Sequence, residues 1–229
     1  MPASDPILSV RDLAKTYHVH HLDTVVGTFD AVSFDLAPGE FLLVEGPNGT
    51  GKSTLLRTLW RSCVADSGSA TYRAQHAGPV DLVTAHEVDV LALRRSELGF
   101  VTQFLAPRPR VTAERLVAEP LHLLGVTPEE ATEQARAALA DLGVRRELWS
   151  AWPSTFSGGE QQKVNLARSL IAPRRLLLLD EPTASLDRAA RAALTERLAA
   201  LRADGVALIG VLHHPEDVAE LVTERLHLH

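Results

Sequence analysis

Apolar positions along the chain fall into two rhythms. Short unbroken runs, Phe41 to Val44, Leu98 to Val101, Leu176 to Leu179 and Val206 to Leu212, end in turn residues and leave no wet face, which predicts strands covered on both sides. Between them, a helical period marks Ser53 to Cys63, Val88 to Arg95, Ala113 to Leu124, Pro128 to Leu142, Ser157 to about Ile171, Arg188 to Arg202 and Pro215 to Val222. Thr127 and Pro128 stand at the N-cap and first position of one of these helices. Looser alternation predicts a hairpin from Ile7 to Tyr17 and Thr28 to Leu36, with His18 to Gly27 as a long polar tip. Ser69 to Arg73, Val80 to Val83 and Glu224 to Leu228 read as edge strands. Strands alternating with helices predict an α/β sandwich with crossovers, and the helices between Phe104 and Trp152 form an insertion between strands.

The strand ending at Glu45 runs into Gly46-Pro47-Asn48-Gly49-Thr50-Gly51-Lys52-Ser53-Thr54, and a helix follows at once. Gly46 and Gly51 bracket the G-x-x-x-x-G-K-[ST] spacing, in which successive N–H groups curl around a phosphate and the helix adds its positive end. Lys52 is placed to reach the β and γ phosphates, and Ser53 to ligate Mg²⁺. Glycine is needed where a side chain would block backbone from phosphate or where φ is positive. Only three of the 23 basic residues are lysines (Lys15, Lys52 and Lys163), and one of them occupies the loop, where a compact ammonium suits a phosphate better than a broad guanidinium.

Composition narrows the partners. At 229 residues the chain can bury a full core as one large domain. Its net charge of −6 provides no broad basic field for a nucleic acid. The single cysteine, Cys63, excludes a disulfide framework and reads as a small buried apolar residue. No apolar run approaches the roughly 18 residues of a spanning helix, so the chain is expected in the cytoplasm, meeting a membrane only through a partner.

A second motif shares the triphosphate chemistry. Leu176-Leu177-Leu178-Leu179-Asp180-Glu181 has the Walker B form at a strand's carboxyl end, where an α/β sheet presents its ligand. Asp180 is the candidate Mg²⁺ ligand beside Ser53, and Glu181 the candidate general base or water-orienting group. Ser157-Gly158-Gly159-Glu160-Gln161 places a hydroxyl and glycine amides at a helix N-terminus, a second anion site in the same chain. Tyr17, ending the first strand, is either an ordinary edge aromatic or a platform for a base.

With these segments in this order the chain resembles the ATP-binding cassette ATPases, whose signature is similar to Ser157 to Gln161. The resemblance implies an ABC-type P-loop NTPase fold in a single domain. An antiparallel β subdomain and a mainly parallel RecA-like core sheet would occupy residues 1–103 and 160–229, and an inserted helical subdomain residues 104–159. It implies Mg-ATP binding and hydrolysis. It also implies a head-to-tail pair, homodimer or related heterodimer, in which Ser157, Gly158, Gly159 and Glu160 of one subunit cover the ATP held by residues 46–54 of the other. Residue by residue, Tyr17 matches the adenine-stacking aromatic, and Gln103 the glutamine that touches both Mg²⁺ and the attacking water. Ser185-Leu186-Asp187 matches the loop crossing the pair interface, with Asp187 contacting nucleotide. His213 matches the switch histidine, although His214 is adjacent; His213 is preferred as the residue at the strand terminus.

Words that ATP chemistry does not require narrow the branch. Val80 to Ala85, Gln103-Phe104-Leu105 followed by Pro109-Arg110, and Pro153 to Gln162 resemble the PhnL-type ATPases of the bacterial carbon-phosphorus lyase system. That implies soluble lyase core proteins as partners in phosphonate catabolism. The alternative is the ATPase subunit of a membrane transporter, such as a lipoprotein or drug exporter. The histidines at positions 18, 20, 21, 227 and 229 lack acidic or cysteine partners at ligand spacing and are not expected to hold a metal.

Overall fold

The structure is a computed structural model that describes residues 5–19, 24–103, 105 and 108–229. β1 (Leu8–Val19) and β2 (Thr24–Leu36) form the hairpin, and β3 (Phe41–Glu45) leads into α1 (Lys52–Leu59). β4 (Ser67–Ala74), β5 (Gly78–Asp81), α2 (Glu87–Ser96) and β6 (Leu98–Val101) follow. Next come α3 (Ala113–His122), α4 (Pro128–Asp141) and α5 (Gly158–Leu170), then β7 (Leu176–Asp180), α6 (Arg188–Ala203), β8 (Ala207–Val211) and β9 (Glu224–His227).

These strands make two sheets. An antiparallel sheet has the order β2-β1-β4-β5, and a five-stranded sheet the order β6-β7-β8-β3-β9, every pairing of which is parallel. The parallel sheet is buried on both faces, and its side chains alternate between two cores. Leu177, Leu179, Leu208 and Phe41 join the core built with α3, α4, α5 and α6. Leu176, Leu178, Ile209, Leu42 and Val44 join the core shared with α1 and the antiparallel sheet. β7 is buried at every position, and each fully buried leucine contributes about 2 kcal/mol. This is why the four-leucine run predicts an interior strand correctly. No helix among the described residues is long and apolar enough to cross a membrane.

Two segments differ from expectation. The hairpin arms extend through much of the predicted polar tip, with Tyr17 facing Val26 and Val19 facing Thr24, because the valine- and threonine-rich residues there continue the ladder. His20 and His21, like Phe104, lie outside the described residues. Pro215 to Val222 is a short 3₁₀ turn over Pro215–Val218 in place of an α-helix. The chain must straighten by Thr223, whose N–H donates to the Phe41 carbonyl at 3.0 Å and whose Oγ1 accepts from the Phe41 N–H at 2.9 Å, so that β9 can start beside β3. Since all five strands of the parallel sheet run the same way, the segments after β3, β6, β7 and β8 emerge at one edge.

Candidate active site

The segment after β3 is a tight loop whose form follows from its glycines. Gly46, Gly49 and Gly51 have φ of 142°, 88° and 82°. A Cβ on Gly46 would lie 2.4 Å from the carbonyl oxygen of Leu228, so no other residue fits there without displacing the chain past β9. Thr50 Oγ1 donates to the Pro47 carbonyl at 2.9 Å and fastens the loop across itself. Lys52 Nζ lies within the curve, donating to the carbonyls of Gly46 and Pro47 at 2.7 and 2.8 Å. The first N–H groups of α1 open into the same curve with no partner inside the helix. Backbone donors, a helix N-terminus and one ammonium make a cradle for a polyphosphate.

The ends of the other strands supply the rest. Asp180 at the end of β7 is 3% exposed, and Ser53 Oγ donates to its Oδ1 at 2.6 Å. Burial pushes the Asp180 carboxyl up, with Glu181 adding to the shift, while the Ser53 hydroxyl and Arg57 oppose it. Arg57, one helical turn beyond Ser53, brings a guanidinium nitrogen 3.9 Å from Asp180 Oδ2. Sequence reading passed over Arg57, although its spacing of four from Ser53 puts both on one helix face. The hydroxyl and carboxylate are hard oxygen donors, and a buried carboxylate with one hydroxyl bond gains from a divalent cation, so this donor set fits Mg²⁺.

Glu181 follows in a left-handed conformation, φ 50°, which the bond from its N–H to the Val211 carbonyl at 2.9 Å holds in place. Its Oε2 accepts from Gln103 Nε2 at 2.9 Å and lies 3.3 Å from His213 Nε2. Three residues from three strand ends thus meet at one carboxylate. His214 turns away to Glu216, with Nδ1 3.0 Å from Oε1, so of the two exposed histidines His213 is the one beside Glu181. Tyr17 is 40% exposed, its hydroxyl donating to Cys63 Sγ at 2.7 Å and the Lys15 ammonium 5.2 Å from its ring centroid. That bond raises the phenol's pKa. Cys63 is buried as expected, with the added task of anchoring this ring.

The serine-glycine segment stands apart from this cluster. Ser157 caps α5 in a reciprocal box: its hydroxyl accepts from the Glu160 N–H, and Glu160 Oε2 accepts from the Ser157 N–H at 3.1 Å. Arg145 closes on Glu160 at 2.8 Å, and the Ser157 hydroxyl and Arg145 hold the Glu160 carboxyl below the usual range. Gly159 abuts the next loop, because a Cβ there would lie 2.8 Å from the Ser185 carbonyl oxygen. Asp187 caps α6 through Ala190 N–H at 2.8 Å and binds Lys163 of α5 at 2.7 Å, a partner sequence reading did not identify. Within the chain Ser157, Glu160 and Asp187 therefore serve as helix caps, and none of their described hydrogen bonds reaches residues 46–54. No group of three His, Cys, Asp or Glu residues suited to a metal occurs among the described residues.

Comparison with known proteins agrees with this geometry. Residues 29–184 match the family described as ABC transporter. The chain is 36% identical over 214 residues to the lipoprotein-releasing system ATP-binding protein LolD 2 of Caulobacter vibrioides, spanning 93% of this chain and 90% of that protein. It is 32% identical over 224 residues to the macrolide export ATP-binding/permease protein MacB of Marinobacter nauticus; the match covers 97% of this chain but 33% of that longer protein. Among solved structures, the dimeric structure of MJ0796, a bacterial ABC transporter cassette, superposes with TM-score 0.85 at 25% identity over 96% of this chain and 94% of that one. A dimeric post-hydrolysis state of MJ0796 bound to ADP and Pi gives 0.83. The expected ABC ATPase fold is therefore shown, while these relatives direct the finer resemblance away from the PhnL branch and toward transporters. The chain belongs to the ABC transporter family, as an ATP-binding cassette that hydrolyses ATP.

Proposed function

We propose that this cassette is the ATPase subunit of a membrane transporter of the lipoprotein-release or macrolide-export kind. It would work at the cytoplasmic face as one of a head-to-tail pair. The observation that carries this reading is the match to LolD 2, which spans nearly all of both chains; the dimeric MJ0796 cassette supports the pairing. The domain would divide as the sequence suggests, with residues 104–159 as the helical part that meets the partner.

The geometry supports the following roles. Residues 46–54 hold the triphosphate through backbone N–H groups, with Lys52 leaving the loop carbonyls for the β and γ oxygens. Tyr17 stacks on the adenine. Ser53, Asp180 and Gln103 would hold Mg²⁺, which when bound neutralises charge on the phosphates. Glu181 orients the attacking water and takes its proton, with Gln103 and His213 both at its Oε2. Ser157, Gly158, Gly159, Glu160 and Asp187 close over the nucleotide of the second subunit.

A second reading keeps the same chemistry and changes the partner: an ATPase of the carbon-phosphorus lyase system. The stretches Val80 to Ala85 and Pro153 to Gln162 favour it, since ATP chemistry does not demand their particular residues. Purification of the tagged chain from detergent-solubilised membranes and from the soluble fraction of phosphonate-grown cells separates the two. Recovery of a permease supports the transporter; recovery of a soluble lyase core without a permease overturns it.

A further inference from the structure

One face of α5 carries two side-chain amides where the helical period calls for apolar residues. Gln162 and Asn165 are 3% and 4% exposed. Burying such an amide without partners is costly, so where its bonds go is informative. Asn165 Nδ2 donates to the Thr102 carbonyl at 2.7 Å and to Gln162 Oε1 at 3.4 Å. Gln162 Nε2 donates to the Pro182 carbonyl at 3.1 Å. The two amides therefore bridge the residue before Gln103 to the residue after Glu181. Gln103 and Glu181 themselves touch at 2.9 Å, which closes the circuit.

The same helix begins at the Ser157 cap. It also holds the loop before α6, through Gly159 against Ser185 and Lys163 against Asp187. A displacement of its N-terminus is thus passed to two loops, the one after β6 at Thr102 and the one between β7 and α6 at Pro182, Ser185 and Asp187, by short contacts of which the amide ones are buried or part-buried. Packed interiors transmit such shifts with little compression.

We infer that Gln162 and Asn165 are positioning residues of the ATPase site, which set the separation of Gln103 and Glu181 and make it follow α5. The inference rests on the roles proposed for Gln103 and Glu181. It gives the second subunit a route to the water-orienting carboxylate: pressing on Ser157 to Glu160 moves α5, and the amide chain moves the backbone on both sides of the catalytic pair. A purely structural role would affect stability and turnover together, whereas a positioning role affects kcat and leaves nucleotide binding alone.

The test uses the purified full-length chain, with ATPase kinetics, nucleotide affinity and thermal melting measured in parallel. Asn165→Ala is expected to lower kcat about tenfold with KM and nucleotide affinity within about twofold of wild type. The pair Gln162→Met with Asn165→Leu fills the same volume with apolar groups but leaves the Thr102 and Pro182 carbonyls without these donors, so the melting temperature should recover part of the Asn165→Ala loss while kcat stays about tenfold down. Recovery of kcat together with stability overturns the inference, as does a loss that falls on KM alone. Glu181→Gln serves as the reference. If it turns over normally, the site reading fails and takes this inference with it; if it is dead while the double variant is fully active, only the inference fails.

Discussion

The edge of the parallel sheet and the start of α5 both offer backbone N–H groups and a serine, yet they are built by opposite means. At the sheet edge the polar groups rest on two hydrophobic cores. Asp180 is buried, Glu181 holds a left-handed backbone, and Gly46 sits against Leu228 with no room for a side chain. At the start of α5 the residues are largely exposed and cap one another, so Ser157, Glu160 and Arg145 form a complete set on the surface. Exposed pairs of that kind are worth less than about 1 kcal/mol each. The difference teaches which surface is rigid and which is carried. The sheet edge is fixed by folding itself, whereas the α5 segment is a compact unit whose position depends on the buried contacts along its helix.

The sharpest way to break this comparison is at Glu181. Glu181→Gln keeps the shape but removes the carboxylate proposed as the base, so ATP turnover should fall by at least about two orders of magnitude with nucleotide affinity retained. Steady-state hydrolysis beside equilibrium titration checks it, and unchanged turnover would show that the sheet edge is not where hydrolysis is carried out. Lys52→Ala comes next. Removing one charge-assisted donor worth about 1.5–3 kcal/mol should weaken nucleotide binding roughly 10- to 100-fold. Titration with a fluorescent nucleotide reads this directly, and affinity within twofold of wild type would remove the ammonium from the cradle.

The same contrast explains what the sequence made legible. The phosphate loop and Leu176 to Glu181 are contiguous in sequence, and their residue types are dictated by backbone approach and burial, so strand and loop could both be read from the chain. The strand-end residues were likewise predictable: a histidine after an apolar run belongs at the sheet edge, and His213 is the one that reaches Glu181. Contacts between distant segments were not legible. Nothing local in Gln162, Lys163 or Asn165 reveals that their partners are Pro182, Asp187 and Thr102. The extended hairpin arms were missed because polar and histidine-bearing residues resemble a loop until pairing across the sheet decides otherwise. The short turn at Pro215 was read as a helix because its period is helical, while the constraint that ends it lies far away at Phe41.

The two neighbouring histidines sharpen the boundary between the regions. His213→Ala removes a ring 3.3 Å from the Glu181 carboxylate and should lower turnover about tenfold. His214→Ala loses only an exposed partner of Glu216 and should leave turnover near wild type. Rates for the two single variants, measured under the same conditions, check the assignment. A larger loss at His214 would move the sheet-edge site one residue along the chain.

The smallest expected effect is a pH dependence belonging to the carried unit. The Lys163 ammonium, and after it the Ala190 N–H, hold the Asp187 carboxyl below its ordinary range, as the Ser157 hydroxyl and Arg145 do for Glu160. A carboxyl whose folded pKa is depressed contributes its stabilisation fully above the unfolded value and loses it as pH falls through the folded one. The caps of α5 and α6 should therefore weaken together below about pH 4. Both carboxyls lie in solvent, so the effect is modest and shrinks with added salt. Asp187→Asn isolates it, because asparagine caps a helix as well as aspartate but carries no titrating charge. Thermal melting followed from pH 6 to pH 3 should show a steeper acid loss for the wild type than for Asp187→Asn, with the two curves converging at high salt. Parallel curves at low salt would mean that the Lys163 contact is geometric only, and α5 would then be tied to the next loop through Gly159 against Ser185 and Gln162 on the Pro182 carbonyl.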